Sequence, residues 1–163
     1  MRRLSKLIFI TLLTTLFIGC SLNMAQYIRP GTKPKANYYT EEIKELISKN
    51  NEYKIKVFDM NIYKYYDVDK SEYDIIPDFI DKLNDENYEA EIEKDSIPNY
   101  KLIIEFSDNK YVINAYNDKL LSIYPWDGVY DEDSISTEGV SDYYNLYKFC
   151  EYIKKVASNE IKK

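Results

Sequence analysis

The stretch NYKLIIEFSDNKYVINAYNDKLLSIYPWDG, residues 99 to 128, decides the fold predicted for this chain. Apolar and polar residues alternate along most of it, which is the pattern of strands that bury one face. Asp108 and Asn109 both tolerate left-handed backbone, which predicts a two-residue hairpin turn. That turn puts three pairs on one apolar face: Phe106 with Tyr111, Ile104 with Ile113, and Leu102 with Ala115. The opposite face then receives the polar residues Glu105 and Asn114.

A second turn is expected at Asn117-Asp118-Lys119, where two loop lengths are open. A three-residue loop directs Leu121 and Ile123 onto the apolar face, whereas a two-residue loop turns them outward. We favour three residues, because the sheet then has a single buried face. Pro125 has no N–H to donate and is expected to end the ladder.

The flanking segments predict three helices and one more strand. Thr40 is the expected N-cap of a helix near residues 40 to 50. EYKIKVFDMNIYKYYDV, residues 52 to 68, predicts one long strand with a bulge or bend between Val57 and Phe58, where the alternation changes phase. Asp74 is expected to cap a second helix that ends near residues 84 to 87. Ser141 is expected to cap the last helix, over residues 142 to 158.

The sequence therefore predicts an α+β domain with an antiparallel sheet of about four strands and helices packed on one face. The expected order is strand, helix, three-stranded meander and helix. That order resembles the half-repeat of the TATA-binding-protein-like fold, an analogy that concerns the fold alone.

The N-terminus MRRLSKLIFITLLTTLFIGC places positive charges before a short apolar run, the layout of a secretory signal. Its ending, LFIGC, resembles the lipobox of bacterial lipoproteins, although Phe17 stands where leucine is usual. The resemblance implies cleavage after residue 19 and a lipid on Cys20; the alternative is a plain signal peptide or short anchor. We expect a signal peptide over 1–19, a flexible tether over 20–38 and one domain over 39–163. The tether could instead form a first strand docked on the domain.

Composition excludes several functions. Removal of Arg2, Arg3 and Lys6 with the signal takes the formal net charge from −6 to −9, which disfavours nucleic acid and anionic head groups as partners. The chain has no histidine, the commonest general base and metal ligand. Cys150 lies on the apolar stripe of the last helix and is expected to be structural. No phosphate-binding, nucleophile or dinucleotide motif is present, and no cofactor is expected.

The acidic residues offer two weaker candidate functions, hydrolysis and metal binding. A carboxylate-based hydrolase remains a remote alternative, because none of the 28 acidic residues stands out as a pair. The loop after the third meander strand holds Asp127, Asp131 and Asp133, oxygen ligands that suit calcium, but their spacing is not that of an EF-hand. Metal binding there is a weak expectation, and an acidic, solvated loop is the simpler one.

Trp126, Asp127 and Tyr130 form the candidate surface for a ligand or partner. Tyrosine and an exposed tryptophan are common at protein interfaces and sugar-stacking surfaces. The 18 tyrosines can equally pack at the margin of the core with their hydroxyl groups in water. The segments KYVINAYN, IYPWDG and YNLYKFCEYI are similar to those of small uncharacterised lipoproteins of clostridial-type Gram-positive bacteria. That resemblance implies a location and carries no activity.

We therefore expect a non-enzymatic, lipid-anchored domain on the outer face of the cell membrane that binds a protein or an envelope component. The alternative is a receptor for a small ligand, a glycan or a cation at the loop after the third meander strand.

The lipid anchor has a direct test. Cells fed a clickable palmitate analogue should label the wild-type protein, and Cys20→Ala should abolish the label, because only the cysteine thiol accepts the acyl-bearing group. Equal labelling of the two proteins would contradict the anchor.

Overall fold

Six antiparallel strands form one sheet in the structure, a computed structural model that describes residues 33 to 160. The expected signal peptide, Cys20 and residues 21 to 32 of the expected tether lie outside the described residues. Residues 33 to 38, also assigned to the tether from the sequence, are part of the compact unit that begins at Lys33. None of the helices in residues 33 to 160 is long and apolar enough to cross a membrane.

The elements follow the order α1, β1, β2, α2, β3, β4, β5, β6, α3 along the chain. The strands are β1 (Tyr53–Asp59), β2 (Lys64–Asp67), β3 (Tyr100–Phe106), β4 (Lys110–Asn117), β5 (Leu120–Pro125) and β6 (Asp133–Ser136), and the sheet order is β2-β1-β3-β4-β5-β6. The helices are α1 (Tyr38–Ser48), α2 (Ile75–Ile80) and α3 (Leu146–Glu160). Two short 3₁₀ turns, Lys70–Glu72 and Asp85–Asn87, flank α2.

The hairpin between β3 and β4 has the predicted faces but another register. Ile104 pairs with Tyr111 and Leu102 with Ile113, so each pairing differs from the predicted one by two residues. The two-residue turn is Ser107-Asp108, closed by the bond from the Phe106 N–H to the Asn109 carbonyl at 2.8 Å. A shift of two residues leaves every side chain on its face, because side chains alternate with period two.

The turn between β4 and β5 buries the predicted residues, but its loop is shorter than predicted. Leu121 and Ile123 are both fully buried on the apolar face, as expected. The loop itself has two residues, Asp118 and Lys119, and a bulge at Tyr116 supplies the extra residue that restores the phase.

Two strands were not predicted. The segment expected to be one bent strand is a hairpin, in which Asp59 pairs with Lys64. Its turn lacks glycine and proline; instead the Asp59 carboxylate accepts the Asn61 N–H at 2.8 Å and Tyr63 adopts φ 53°. β6 lies in the acidic segment expected to be a solvated loop, and Ile135 anchors it in the core with no exposed surface. The sheet therefore has six strands instead of about four.

The starts of α1 and α3 differ from prediction. Asp74 precedes α2 as predicted, but its side chain makes no capping hydrogen bond, and α2 ends at Ile80, before the predicted residues 84 to 87. Thr40 is not the N-cap of α1: it is the third helical residue, and its N–H and hydroxyl both donate to the buried Asp133 carboxylate of β6, at 2.7 and 2.8 Å. Lys33 pairs with the other Asp133 oxygen at 2.6 Å. α3 begins after Asn145, not after Ser141; the Asn145 side-chain oxygen accepts the N–H of Tyr147 at 3.0 Å.

One face of the sheet carries the core, and all three helices pack on it, as predicted. The strands contribute Ile55, Val57, Leu102, Ile104, Ile113, Leu121, Ile123 and Ile135, and the helices contribute Ile43, Ile76, Phe79, Leu146, Phe149 and Ile153. Among the described residues no helix covers the opposite face, which we call the outer face.

A buried ion pair ties α3 to β1. Asp59 has no exposed surface, and Lys154 reaches its Oδ2 at 2.7 Å from a position with 35% of the side chain exposed. Burial by itself raises the pKa of Asp59, but Lys154 and the Asn61 N–H more than offset this and hold the pKa below its ordinary value. The pair therefore stabilises the ionised carboxylate in the folded state.

Lys154→Met, which keeps the apolar stem, should lower the free energy of unfolding at pH 7 by about 1–3 kcal/mol, since it leaves a buried charge without a partner and the lysine is partly exposed. A depressed folded pKa contributes stability above the unfolded value of about 3.9 and loses it as the pH falls through the folded pKa. The difference from wild type, measured by urea denaturation, should shrink below about pH 4. Lys155→Met, at an exposed neighbour, is the control; a pH-independent loss in Lys154→Met would contradict the assignment.

Candidate functional site

Trp126 stands at the end of β5 on the outer face, with 71% of its side chain exposed. Its N–H donates to the Lys110 carbonyl at 2.8 Å and continues the pairing with β4 beyond Pro125. Pro125 itself pairs with Tyr111 of β4, so the prediction that it ends the ladder is wrong on that side. The missing proline N–H faces the other edge, where pairing of β5 with β6 has already ended at Ile123 and Asp133.

The indole ring is held by charged neighbours on the adjacent strands. The Lys110 ammonium lies 5.2 Å from the centre of the Trp126 ring, a cation–π contact. Glu105 of β3 in turn pairs with Lys110 at 3.0 Å and with Lys56 at 3.8 Å. The Lys110 hydrogen bond is the main reason that the pKa of Glu105 is lowered. The tryptophan is therefore exposed and also fixed by the sheet.

A tyrosine of α1 holds the loop that follows. The Tyr39 hydroxyl accepts the N–H of Tyr130 at 2.8 Å and donates to the carbonyl of the same residue at 3.1 Å. Gly128 passes beneath this clip: a Cβ there would lie 3.2 Å from both the Tyr39 hydroxyl and a Pro125 side-chain carbon. The bond from the Gly128 N–H to the Pro125 carbonyl closes a turn over residues 125 to 128.

Below the tryptophan lies an open groove of about 770 Å³, which we call the Trp126 groove. Its lining residues come from β4, β5, β6, the loop between the last two and the segment before β3: Ile92, Asn114, Tyr124, Pro125, Trp126, Gly128, Tyr130, Asp131, Glu132 and Ser134. A volume of this size suits a small ligand or part of a polymer.

The groove contains a buried amide whose oxygen atom lacks a partner among the described residues. Asn114 is only 7% exposed, and its Nδ2 donates to the Ser122 hydroxyl at 3.2 Å and the Tyr116 hydroxyl at 3.4 Å. No group of the described residues donates to its Oδ1. An unsatisfied buried acceptor costs about 1–3 kcal/mol, so this oxygen is a feature that needs explanation.

Asn114 belongs to a row that crosses the whole outer face. Consecutive cross-strand pairs connect Tyr65 of β2, Phe58 of β1, Lys101 of β3, Asn114 of β4, Ser122 of β5 and Ser134 of β6. Tyr65 is 59% exposed and its ring lies 4.4 Å from that of Phe58. The row is aromatic at one edge and polar at the other. Tyr124 lies in the next row of the outer face, and Trp126 lies one row further, opposite Lys110.

The structure separates the acidic residues that the sequence grouped as weak metal candidates. Asp133 is buried, and its carboxylate already binds Lys33 and Thr40. Asp131 lines the groove, and Asp127 is exposed on the turn. Within residues 33 to 160, no three acidic or cysteine side chains converge as a metal site would require. The oxygen ligands needed for calcium are therefore not brought together here.

Burial raises the pKa of the Cys150 thiol, which keeps it protonated and inert. Within residues 33 to 160, the pKa is lowered at four carboxyl groups: Glu45, Asp59, Asp69 and Glu105. In each of them hydrogen bonds favour the ionised form.

Comparison with known proteins gives the family. Residues 33–150 match the family described as Domain of unknown function (DUF4883). The chain belongs to the DUF4883 family. The crystal structure of a putative lipoprotein from Clostridium perfringens is similar to the DUF4883 domain, with 36% sequence identity and a TM-score of 0.69. The alignment covers 76% of this chain and 99% of that chain. Among curated proteins no relative matches this chain.

The DUF4883 match begins at Lys33 and ends at Cys150, so it contains the whole Trp126 groove. Of the three candidate residues, Trp126 and Tyr130 line the groove and Asp127 does not. Sequence reasoning missed Tyr124, Ser134 and the role of Asn114. The alternation places Asn114 on the polar face, but aligning it with Ser134 requires β6, which the acidic loop pattern concealed.

Tyr39→Phe should loosen the Trp126 loop, because it leaves the N–H and the carbonyl of Tyr130 without their partner. We expect a loss of about 1–2 kcal/mol in stability and faster amide hydrogen exchange at Gly128 and Tyr130. Tyr143→Phe, at a ring that is 80% exposed, should change neither quantity. Unchanged exchange at Tyr130 in Tyr39→Phe would contradict the clip.

Proposed function

We propose that this DUF4883 protein is a non-enzymatic binding module, anchored by a lipid on Cys20 to the outer face of the cell membrane. Its Trp126 groove binds a protein or another component of the cell envelope. The observation that carries the proposal is a tryptophan with 71% of its side chain exposed that the sheet nevertheless holds in place.

Energetic cost supports binding as the role of this surface. An exposed indole gains little from folding, yet the Lys110 ammonium lies over its ring and a ladder bond holds its backbone, while Tyr39 holds the loop that follows. Rings fixed in advance lose little conformational entropy when they bind, and tryptophan is enriched among residues that dominate binding energy. The fixed ring beside a groove is therefore suited to recognition.

Anchoring has independent support. The lipobox-type ending of the first 20 residues implies a lipid on Cys20, and the similar solved protein is itself described as a putative lipoprotein of a Clostridium. Lipidation with two acyl chains is enough for stable attachment to a membrane. The domain would then meet other envelope components at high local concentration, so weak binding would suffice.

Retention of envelope material tests the function. Immobilised chain from residue 21 to 163 should retain components of the envelope of the producing cells, and Trp126→Ala should reduce retention about tenfold, as expected for loss of a central aromatic contact. Tyr143→Ala removes an equally exposed tyrosine outside the groove and should bind as wild type does. Equal retention by wild type and Trp126→Ala would overturn the proposal.

A further inference from the structure

We propose that the Trp126 groove binds a neutral glycan chain, which lies along the outer face of the sheet. This inference rests on the proposed function and names the class of its ligand. Three features carry it: exposed aromatic rings, a floor of uncharged polar groups, and acidic residues on the wall.

The aromatic rings offer stacking surfaces. Tyr124 is in β5, and Trp126 follows it by two residues with the pairing to β4 continued, so both side chains project from the outer face. Tyr124 is half-buried. The flat, weakly polar face of a sugar ring packs on an indole or phenol ring, while its hydroxyl groups stay available for hydrogen bonds. Burial raises the pKa of Tyr124, so its hydroxyl group stays a donor.

The floor supplies neutral hydrogen-bonding groups at the right place. Asn114, Ser122 and Ser134 lie in one cross-strand row, and Asn114 and Ser134 line the groove. The unpartnered Oδ1 of Asn114 is an acceptor for a ligand hydroxyl that reaches the floor past Tyr124, whose hydroxyl group lies beside this amide.

The charge of the wall disfavours anionic polymers. Asp131 and Glu132 line the groove, and two nearby cations are already paired: Lys33 with Asp133, and Lys110 with Glu105 and the indole. Lys101 in the row is the exception, at the centre of the sheet. A neutral chain avoids the repulsion that these carboxylates would exert on phosphate or carboxylate groups.

The row gives the chain a path across the sheet. Six strands give a span of roughly 24 Å from Ser134 to Tyr65, at about 4.8 Å per strand spacing. Trp126 lies two rows away from this path, opposite Lys110. A polymer that stacks on Trp126 therefore crosses the sheet diagonally, past Tyr124, to reach the exposed Tyr65 ring at the far edge. Long chains should therefore bind more tightly than short ones.

The single tryptophan makes the experiment direct. The chain from residue 21 to 163 is titrated with hexamers of N-acetylglucosamine and of glucose and with dextran, and Trp126 emission is followed. We expect a saturable blue shift with at least one neutral glycan and none with dextran sulfate, the charged counterpart of dextran. No saturable change with any neutral glycan up to about 10 mM, ten times a Kd of about 1 mM, would overturn the proposal.

Variants, measured by calorimetry, locate the site. Trp126→Ala should weaken binding of the best glycan about tenfold, and Trp126→Phe should weaken it less, because a smaller ring still stacks. Asn114→Ala should also weaken it, with Tm measured to separate folding from binding. Tyr65→Ala should weaken binding of the hexamer and leave binding of the trimer of the same sugar unchanged. Tyr143→Ala should change neither. Full binding by Trp126→Ala would place the ligand elsewhere and contradict the proposal.

The two proposals fail in different ways. If every neutral glycan fails but retention of envelope material still depends on Trp126, the glycan is wrong and the groove binds a protein or a charged component. If retention is also independent of Trp126, the proposed function is wrong as well.

Discussion

The carboxylate of Asp133 connects three parts of the chain that sequence keeps far apart. It satisfies an N–H at the start of α1, pairs with Lys33 at the beginning of the compact unit, and lies in the first residue of β6. A buried carboxylate is unfavourable unless hydrogen-bonded and paired, and all of these partners must be in place together. The edge strand, the first helix and the start of the domain therefore depend on one another.

The Trp126 groove depends on the same arrangement. α1 carries Tyr39, whose hydroxyl holds the backbone of Tyr130, and Asp133 holds α1 against β6. The loop between β5 and β6 is thus fixed at its middle by the helix and at its end by the strand. Tyr130, which lines the groove, is thus positioned by Tyr39, a residue of a helix that packs on the buried face of the sheet.

The outer face differs from an ordinary solvated face. Val112 and Ile103 are almost fully buried there although no helix of the described residues covers them. Both lie in the cross-strand row beside the one that contains Lys101 and Asn114. Two nearly buried apolar residues set this face apart from a fully solvated sheet surface, which agrees with the proposed role in binding.

The sequence alone determined the fold class and the buried face of the meander. The need for a single buried face assigns Leu121 and Ile123 to the core, although the loop length predicted with it was wrong and a bulge restores the phase. It also predicted the two later helices from their apolar spacing and identified Trp126 as the residue to examine. These features follow from local pattern and from burial of apolar area.

Only the tertiary structure decided the turns, the helix starts, the two edge strands and the groove. Asn61 forms its turn through a carboxylate, Thr40 is capped by a residue 93 positions away, and β6 is a strand because β5 offers it a free edge. Side-chain bonds and edge pairing between distant segments leave no periodic trace in a single sequence. For that reason the sequence predicts that Trp126 is a candidate surface residue, whereas only the tertiary structure shows which residues surround it.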